Sequence, residues 1–126
     1  MKVKKVLVID DEDDIREVAK ISLEIMAGLK VIVAGTSREG IQKAETEQPD
    51  AILLDLMLPD LDGLITFEKL QSNPRTQHIP VILLTAKVQL SDQSRFANLG
   101  IKAVISKPFK PAQLAEQLLG ALNWSE

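Results

Sequence analysis

Ala51-Ile52-Leu53-Leu54-Asp55, four consecutive apolar residues that end in a carboxylate, is the stretch that decides the fold. The run is continuous rather than alternating, so it reads as a strand buried on both faces, the mark of a parallel sheet. Moving outward, the same pattern recurs four times: Val31-Ile32-Val33-Ala34 and Val6-Leu7-Val8-Ile9 before it, Val81-Ile82-Leu83-Leu84 and Ala103-Val104-Ile105 after it. Parallel neighbours need crossovers, and the segments between the runs have helical spacing. Ile15, Val18, Ala19, Ser22 and Met26 fall on one helix face, and Gly28 offers a stop. Thr36 with Glu39 forms a capping box for a second helix running to about Gln48, before Pro49. Asp62-Gly63 opens a third helix that Pro74 closes, Ser91 or Asp92 caps a fourth that ends by Gly100, and Pro111 suits the first turn of a fifth. Five strand–helix units predict an open, doubly wound α/β sheet, since a closed barrel needs eight.

Composition narrows the function. The 126 residues are one domain's worth of chain at roughly 100–200 residues per domain. Hydrophobic residues make up 45% and charged residues 26%, the balance of a chain that folds on its own. Aromatics are only 3%, too few for stacking platforms, and the net charge of −3 disfavours attraction to a polyanion, so no direct nucleic-acid binding is expected. With no cysteine there is no disulfide, thiolate metal site or thiol nucleophile. The apolar run after the basic start is too short for a signal-peptide core, and no stretch approaches the roughly 20 apolar residues of a membrane span. A cytoplasmic protein without membrane insertion is expected.

In open α/β sheets ligands bind beyond the carboxyl ends of the strands. There the first strand runs into Asp10-Asp11, the third into Asp55, the fourth into Thr85 and the fifth into Ser106-Lys107. Three converging carboxylates call for a compensating cation. An all-oxygen donor set selects a hard ion, Mg²⁺ above all, with Mn²⁺ as the expected substitute. Asp55 is then the natural nucleophile toward a phosphoryl group, forming an aspartyl phosphate. Asp10 and Asp11 would hold the metal, Lys107 would share neutralisation of the phosphoryl charge, and Thr85 would donate a hydroxyl.

These residues carry a resemblance. Val8-Ile9-Asp10-Asp11, Leu54-Asp55-Leu56-Met57-Leu58-Pro59-Asp60-Leu61-Asp62-Gly63, Leu84-Thr85-Ala86 and Lys107-Pro108-Phe109 stand in the order and at the separations of a receiver domain of two-component response regulators. The chain is similar in size to the single-domain chemotaxis-type members, from about Lys4 to about Leu122. The resemblance implies a flavodoxin-like (βα)5 three-layer sandwich with a five-stranded parallel sheet of order 2-1-3-4-5, occupying residues 1–126 with no output domain. It implies a stand-alone phosphoacceptor in a phosphorelay, not a turnover enzyme. Asp55 would take the phosphoryl group from the phosphohistidine of a sensor histidine kinase or histidine phosphotransfer protein. Mg²⁺ would be held by Asp11, Asp55 and the main-chain carbonyl of Met57, with Asp10 assisting. Thr85 and Ala86 with Lys107 would bind and report the phosphoryl group, and a cis peptide before Pro108 would aim Lys107. Output would pass to a protein partner at the fourth helix, fifth strand and fifth helix, where Lys87, Arg95, Lys102 and Lys110 suit an acidic patch.

The chain departs from that family where an aromatic residue usually precedes the lysine by three. Val104 stands there, a short β-branched side chain that cannot swing in and out of a pocket as a ring does. Met57 and Lys87, two positions after the nucleophile and the threonine, tune the phosphoryl lifetime in the family; neither offers a carboxylate or amide to orient water, which suggests minutes or longer.

Several residues have plainer roles. Glu12, Asp13 and Asp14 are expected as helix-start acids, Asp60 and Asp62 as turn and cap residues, and His78 as polar surface. Ile21 and Ile25 widen the apolar stripe of the first helix; added core is the ordinary reason, contact with a kinase's helical bundle the other. Trp124 is open between packing and exposure. A haloacid-dehalogenase-like phosphatase needs a second Asp two residues after its nucleophile, where this chain has Met57. A flavodoxin needs a phosphate-cradling loop where Asp10 to Asp14 would repel the anion.

Overall fold

The structure, a computed structural model, describes residues 3–86 and 96–124. All five apolar runs are strands: β1 (Lys5–Ile9), β2 (Lys30–Ala34), β3 (Ala51–Asp55), β4 (Val81–Thr85) and β5 (Ala103–Ser106). They form one parallel sheet in the order β2-β1-β3-β4-β5. The register is set so that Val8 pairs with both Val33 and Leu53, and Leu54 with Leu83.

Continuous apolar runs make sense because helices cover both faces. Val6, Val8, Leu53, Ile82, Leu84 and Ile105 pack with Ala19, Leu23, Leu114 and Leu118 on one side. Leu7, Ile9, Ile52, Leu54 and Leu83 pack with Ala44, Phe67, Leu70 and Phe96 on the other. Each fully buried Leu or Ile side chain contributes about 1.5–3 kcal/mol over its exposed state.

The helices begin where their caps predict. Helix α2 (Ser37–Glu47) starts with the Glu39 N–H donating to Thr36 Oγ1 at 3.1 Å and ends at Gln48, which adopts a left-handed φ of 48°. The reciprocal half of the box falls one residue early, since the Glu39 carboxylate accepts from the Gly35 N–H at 2.8 Å. Helix α3 (Gly63–Ser72) has Asp62 as its cap, accepting from the Leu64 N–H at 2.7 Å. The carboxyl-terminal helix, Pro111–Leu122, carries Pro111 in its first turn as expected. The candidate caps Ser91 and Asp92 lie outside the described residues.

The first helix differs from its expected stripe. Helix α1 (Asp13–Ile21) passes into a π-helical turn, Ser22–Met26. A wider turn changes the angle between successive side chains beyond Ile21, where Met26 is exposed; Val18, ahead of it, is exposed too, and Leu23, four residues after Ala19, is buried. Ile21 and Ile25 are 50% and 77% exposed, so added core is not their role. Ser22, buried within the π turn, donates its hydroxyl to the Pro111 carbonyl and ties α1 to the carboxyl-terminal helix. Trp124 packs partly buried against the core, with Lys4 Nζ 4.9 Å from its ring centre, and His78 is exposed. Among the described residues no helix is long and apolar enough to cross a membrane.

Candidate functional site

The carboxyl ends of β1, β3, β4 and β5 bring together the residues that the strand-end rule singled out. Asp10 and Asp55 are buried and Asp11 is exposed, yet one oxygen from each lies within 4.8 Å of the others. Lys107 enters from β5 with 9% of its side chain exposed, its Nζ 2.6 Å from Asp10 Oδ2, 3.3 Å from Asp55 Oδ2 and 3.6 Å from Glu12 Oε1. The Lys107–Pro108 peptide is cis. Thr85 is fully buried at the end of β4, and its carbonyl accepts from the Lys107 N–H at 2.9 Å. Ala86, next along, is exposed.

Local hydrogen bonds hold the acids in place. Asp10 Oδ1 accepts from the Glu12 N–H at 2.9 Å, and Asp55 Oδ1 from the Met57 N–H at 3.2 Å. The Met57 side chain itself is 64% exposed. The loop after Asp55 folds back so that the Gly63 N–H donates to the Leu56 carbonyl at 2.9 Å. Gly63 is required by this close approach: a Cβ there would lie 2.5 Å from both the Asp55 carbonyl oxygen and Leu56 Cα.

Charge in the site is unbalanced. Burial pushes the Asp10 carboxyl above its ordinary range, more than its Lys107 partner and the Glu12 N–H pull it down. Burial works against the Lys107 ammonium too, but its hydrogen bond to Asp10 and the charges of Asp10 and Asp55 prevail and hold its pKa above the ordinary lysine value. One ammonium thus faces two buried carboxylates, with Asp11 and Glu12 at the rim. An oxygen-only donor set with surplus negative charge fits a hard divalent cation of the Mg²⁺ type.

Three residues carry more here than their sequence signals implied. Glu12 sits at the α1 N-cap without a side-chain capping bond and adds its carboxylate to the Lys107 side. Asp60 accepts from the Ser37 and Arg38 N–H groups at 2.9 and 3.1 Å, capping α2 from the loop that follows the nucleophile candidate. Those N–H donors, Ser37 first, hold its carboxyl below the usual range. Arg16 donates to the Asp10 main-chain carbonyl at 2.6 Å. Only the chain's folded path brings these partners together, so no periodicity or motif marks them.

Toward the β5 side, Val104 is half-buried against the α2–α3 face of the core and lines a cavity of about 200 Å³ with Phe96, Ile101 and Lys102. Lys102 and Lys110 are exposed; Lys87 and Arg95 lie outside the described residues.

Comparisons with known proteins bear on the family and the fold. The family model described as response regulator receiver domain matches residues 6–119. The alkaline phosphatase synthesis transcriptional regulatory protein PhoP of Bacillus subtilis is 38% identical over 123 residues, covering 98% of this chain and 50% of its own. The DNA-binding dual master transcriptional regulator RpaA of Synechocystis is 36% identical, covering 94% of this chain and 49% of its own. The chain therefore spans about half the length of the curated relatives it matches. Among solved structures, chemotaxis response regulator CheY4 of Vibrio cholerae superposes with a TM-score of 0.87 at 26% identity, over 95% of this chain and 99% of that one. A CheY-like receiver domain protein of Methanospirillum hungatei gives 0.84 at 31% identity, over 97% and 95%.

Proposed function

The chain belongs to the response regulator receiver domain family, and from that premise we propose that Asp55 accepts a phosphoryl group from the phosphohistidine of a sensor histidine kinase or histidine phosphotransfer protein. The observation that carries the reading is the set of three carboxylates within 4.8 Å facing an almost buried lysine at one edge of the sheet. A carboxylate oxygen of Asp55 bonds to phosphorus as the N–P bond of the phosphohistidine breaks, and the departing imidazole keeps the electron pair. Mg²⁺, or Mn²⁺ in its place, supplies positive charge to the phosphoryl oxygens when held by Asp10, Asp11, Asp55 and the Met57 carbonyl. Lys107 gives the same oxygens an ammonium, and Thr85, with the adjoining Ala86 backbone, supplies hydrogen-bond donors.

The product is a signal rather than a released compound. The chain acts as a stoichiometric acceptor, with slow autodephosphorylation closing the cycle; Met57 and Lys87 set its rate. The exposed apolar pair Ile21 and Ile25 on the first helix suits docking of the donor's helical bundle. Output passes to a protein partner with an acidic patch through Lys87, Arg95, Lys102 and Lys110, or onward by phosphotransfer. The net charge of −3 supports a protein rather than nucleic acid as the direct partner, in the cytoplasm. Val104 gives this surface no swinging aromatic ring.

Intact-protein mass after incubation with Mg²⁺ and a small-molecule phosphodonor tests the reading. One phosphoryl adduct is expected, lost in Asp55→Asn and in chelated samples. A folded wild-type protein that gains none with Mg²⁺ present sinks the proposal.

A further inference from the structure

A shielded cation at the β1–α1 corner has no part in the chemistry above. Arg16, in the first turn of α1, leaves only 20% of its side chain exposed and turns its guanidinium back toward β1. Nη1 donates to the Asp10 main-chain carbonyl at 2.6 Å, while Nη2 pairs with the Asp13 carboxylate. The end of β2 makes room for this contact: a Cβ on Gly35 would lie 3.2 Å from Nη1.

The peptide group gripped by Arg16 joins Asp10 to Asp11, the two acids this loop offers to a metal. The other polar groups of Asp10 have partners elsewhere. Its N–H donates to the Ala34 carbonyl at 3.0 Å, Oδ1 accepts from Glu12, and Oδ2 pairs with Lys107. Asp11 is exposed, so the direction in which it leaves the backbone follows from the orientation of that peptide. The guanidinium is planar and forked, and it bridges the Asp10 carbonyl and Asp13 at once, which a single ammonium does less well.

We infer that Arg16 is a positioning residue for the metal site, holding the Asp10–Asp11 peptide so that both carboxylates address one cation. This rests on the metal reading of Asp10, Asp11 and Asp55 given above. Sign separates positioning from bulk electrostatics. A guanidinium near a cation site repels the cation, so losing its charge should by Coulomb's law alone tighten Mg²⁺ binding. Losing a hydrogen bond that orients the ligands weakens it instead, commonly by about 10–100-fold.

The test titrates Mg²⁺ into wild type, Arg16→Met, Arg16→Lys and Gly35→Ala. Affinity is read by calorimetry and by the rise of Tm with Mg²⁺ concentration, and urea unfolding of the metal-free proteins reports the fold separately. Arg16→Met should bind Mg²⁺ about tenfold more weakly. Arg16→Lys keeps the charge and should fall between it and wild type. Gly35→Ala keeps Arg16 but crowds its guanidinium, and should show a smaller loss in the same direction. If Arg16→Met does not fold, the other two variants decide. Unchanged or tighter Mg²⁺ binding in the folded variants overturns the inference while leaving the metal reading intact. A wild-type protein that binds no Mg²⁺ overturns both.

Discussion

The two ends of strand β1 handle charge in opposite ways. At the amino end Lys4, Lys5, Glu47 and Asp50 have partners near solvent: the Lys5 N–H donates to Asp50 at 2.8 Å, Lys5 Nζ pairs with Glu47 at 3.4 Å, and Lys4 lies over Trp124. Side chains there keep water, with Lys5 26% and Glu47 45% exposed. At the carboxyl end one ammonium, 9% exposed, serves Asp10 and Asp55, which are 0% and 3% exposed, and still has Glu12 beside it. Matched exposed pairs contribute little and cost little. An unmatched buried set costs stability and keeps unspent affinity for a cation. The contrast teaches that the sheet's two edges have different tasks, one to close the fold and one to remain incomplete until a ligand arrives.

The hardest way to break that contrast is to remove the cation. Lys107→Met leaves two buried carboxylates without an ammonium and should lower the stability of the metal-free protein by about 3–5 kcal/mol. Urea unfolding measures this, and Mg²⁺ should restore part of the loss. A drop of the size seen at an exposed pair would mean that the carboxyl edge is already balanced.

Removing an acid should have the opposite sign. Asp10→Asn eliminates a carboxylate whose charging is opposed by burial, while Lys107 retains Asp55. Without metal the variant should be more stable than wild type, and its Tm should respond less to Mg²⁺ than that of wild type. A destabilised variant with a full metal response would contradict the account of surplus charge.

Asp60 sharpens the comparison because it lies on the carboxyl side yet is matched, by two backbone N–H groups. Its carboxyl is depressed in the fold, so its contribution is complete above the ordinary value of 3.8 and is lost as pH falls through the lower native value. Asp60→Ala should cost about 1 kcal/mol near neutral pH, and the gap to wild type should close in acid. A gap that persists to the lowest pH at which both proteins fold would assign the loss to packing instead. The smallest effect belongs at the amino end: Glu47→Ala should change stability by no more than about 0.5 kcal/mol, and a larger value in urea unfolding would erase the distinction between the two ends.

The sheet was legible because its strands declare themselves locally. Unbroken aliphatic runs such as Ala51–Leu54 need cover on both faces wherever they occur. The assembly of Asp10, Asp11, Asp55 and Lys107 followed from one topological rule, since each stands at a strand's carboxyl end. What stayed hidden depends on distances between elements or on how a helix winds. The π turn at Ser22–Met26 is one such feature: the residue spacing of an ordinary helix carries no warning of it, and Met26, expected on the buried face, is exposed. Arg16 carried no signal because its partner at the site is a backbone carbonyl, which every residue possesses and no motif records, and Asp60, expected as a turn and cap residue, gave no sign that the helix it caps is α2.

Gly63 bears on how a complete substitution map of this chain would read. Because any side chain there would strike the backbone of Asp55 and Leu56, every replacement should score as damaging, as uniformly as replacements of the proposed nucleophile, Asp55. Yet the residue has no chemical group to contribute. Tolerance alone would rank it with Asp55 and Lys107, and only a second scan for abundance would separate them: chains changed at 63 would be scarce, whereas Asp55→Asn chains would be plentiful and silent.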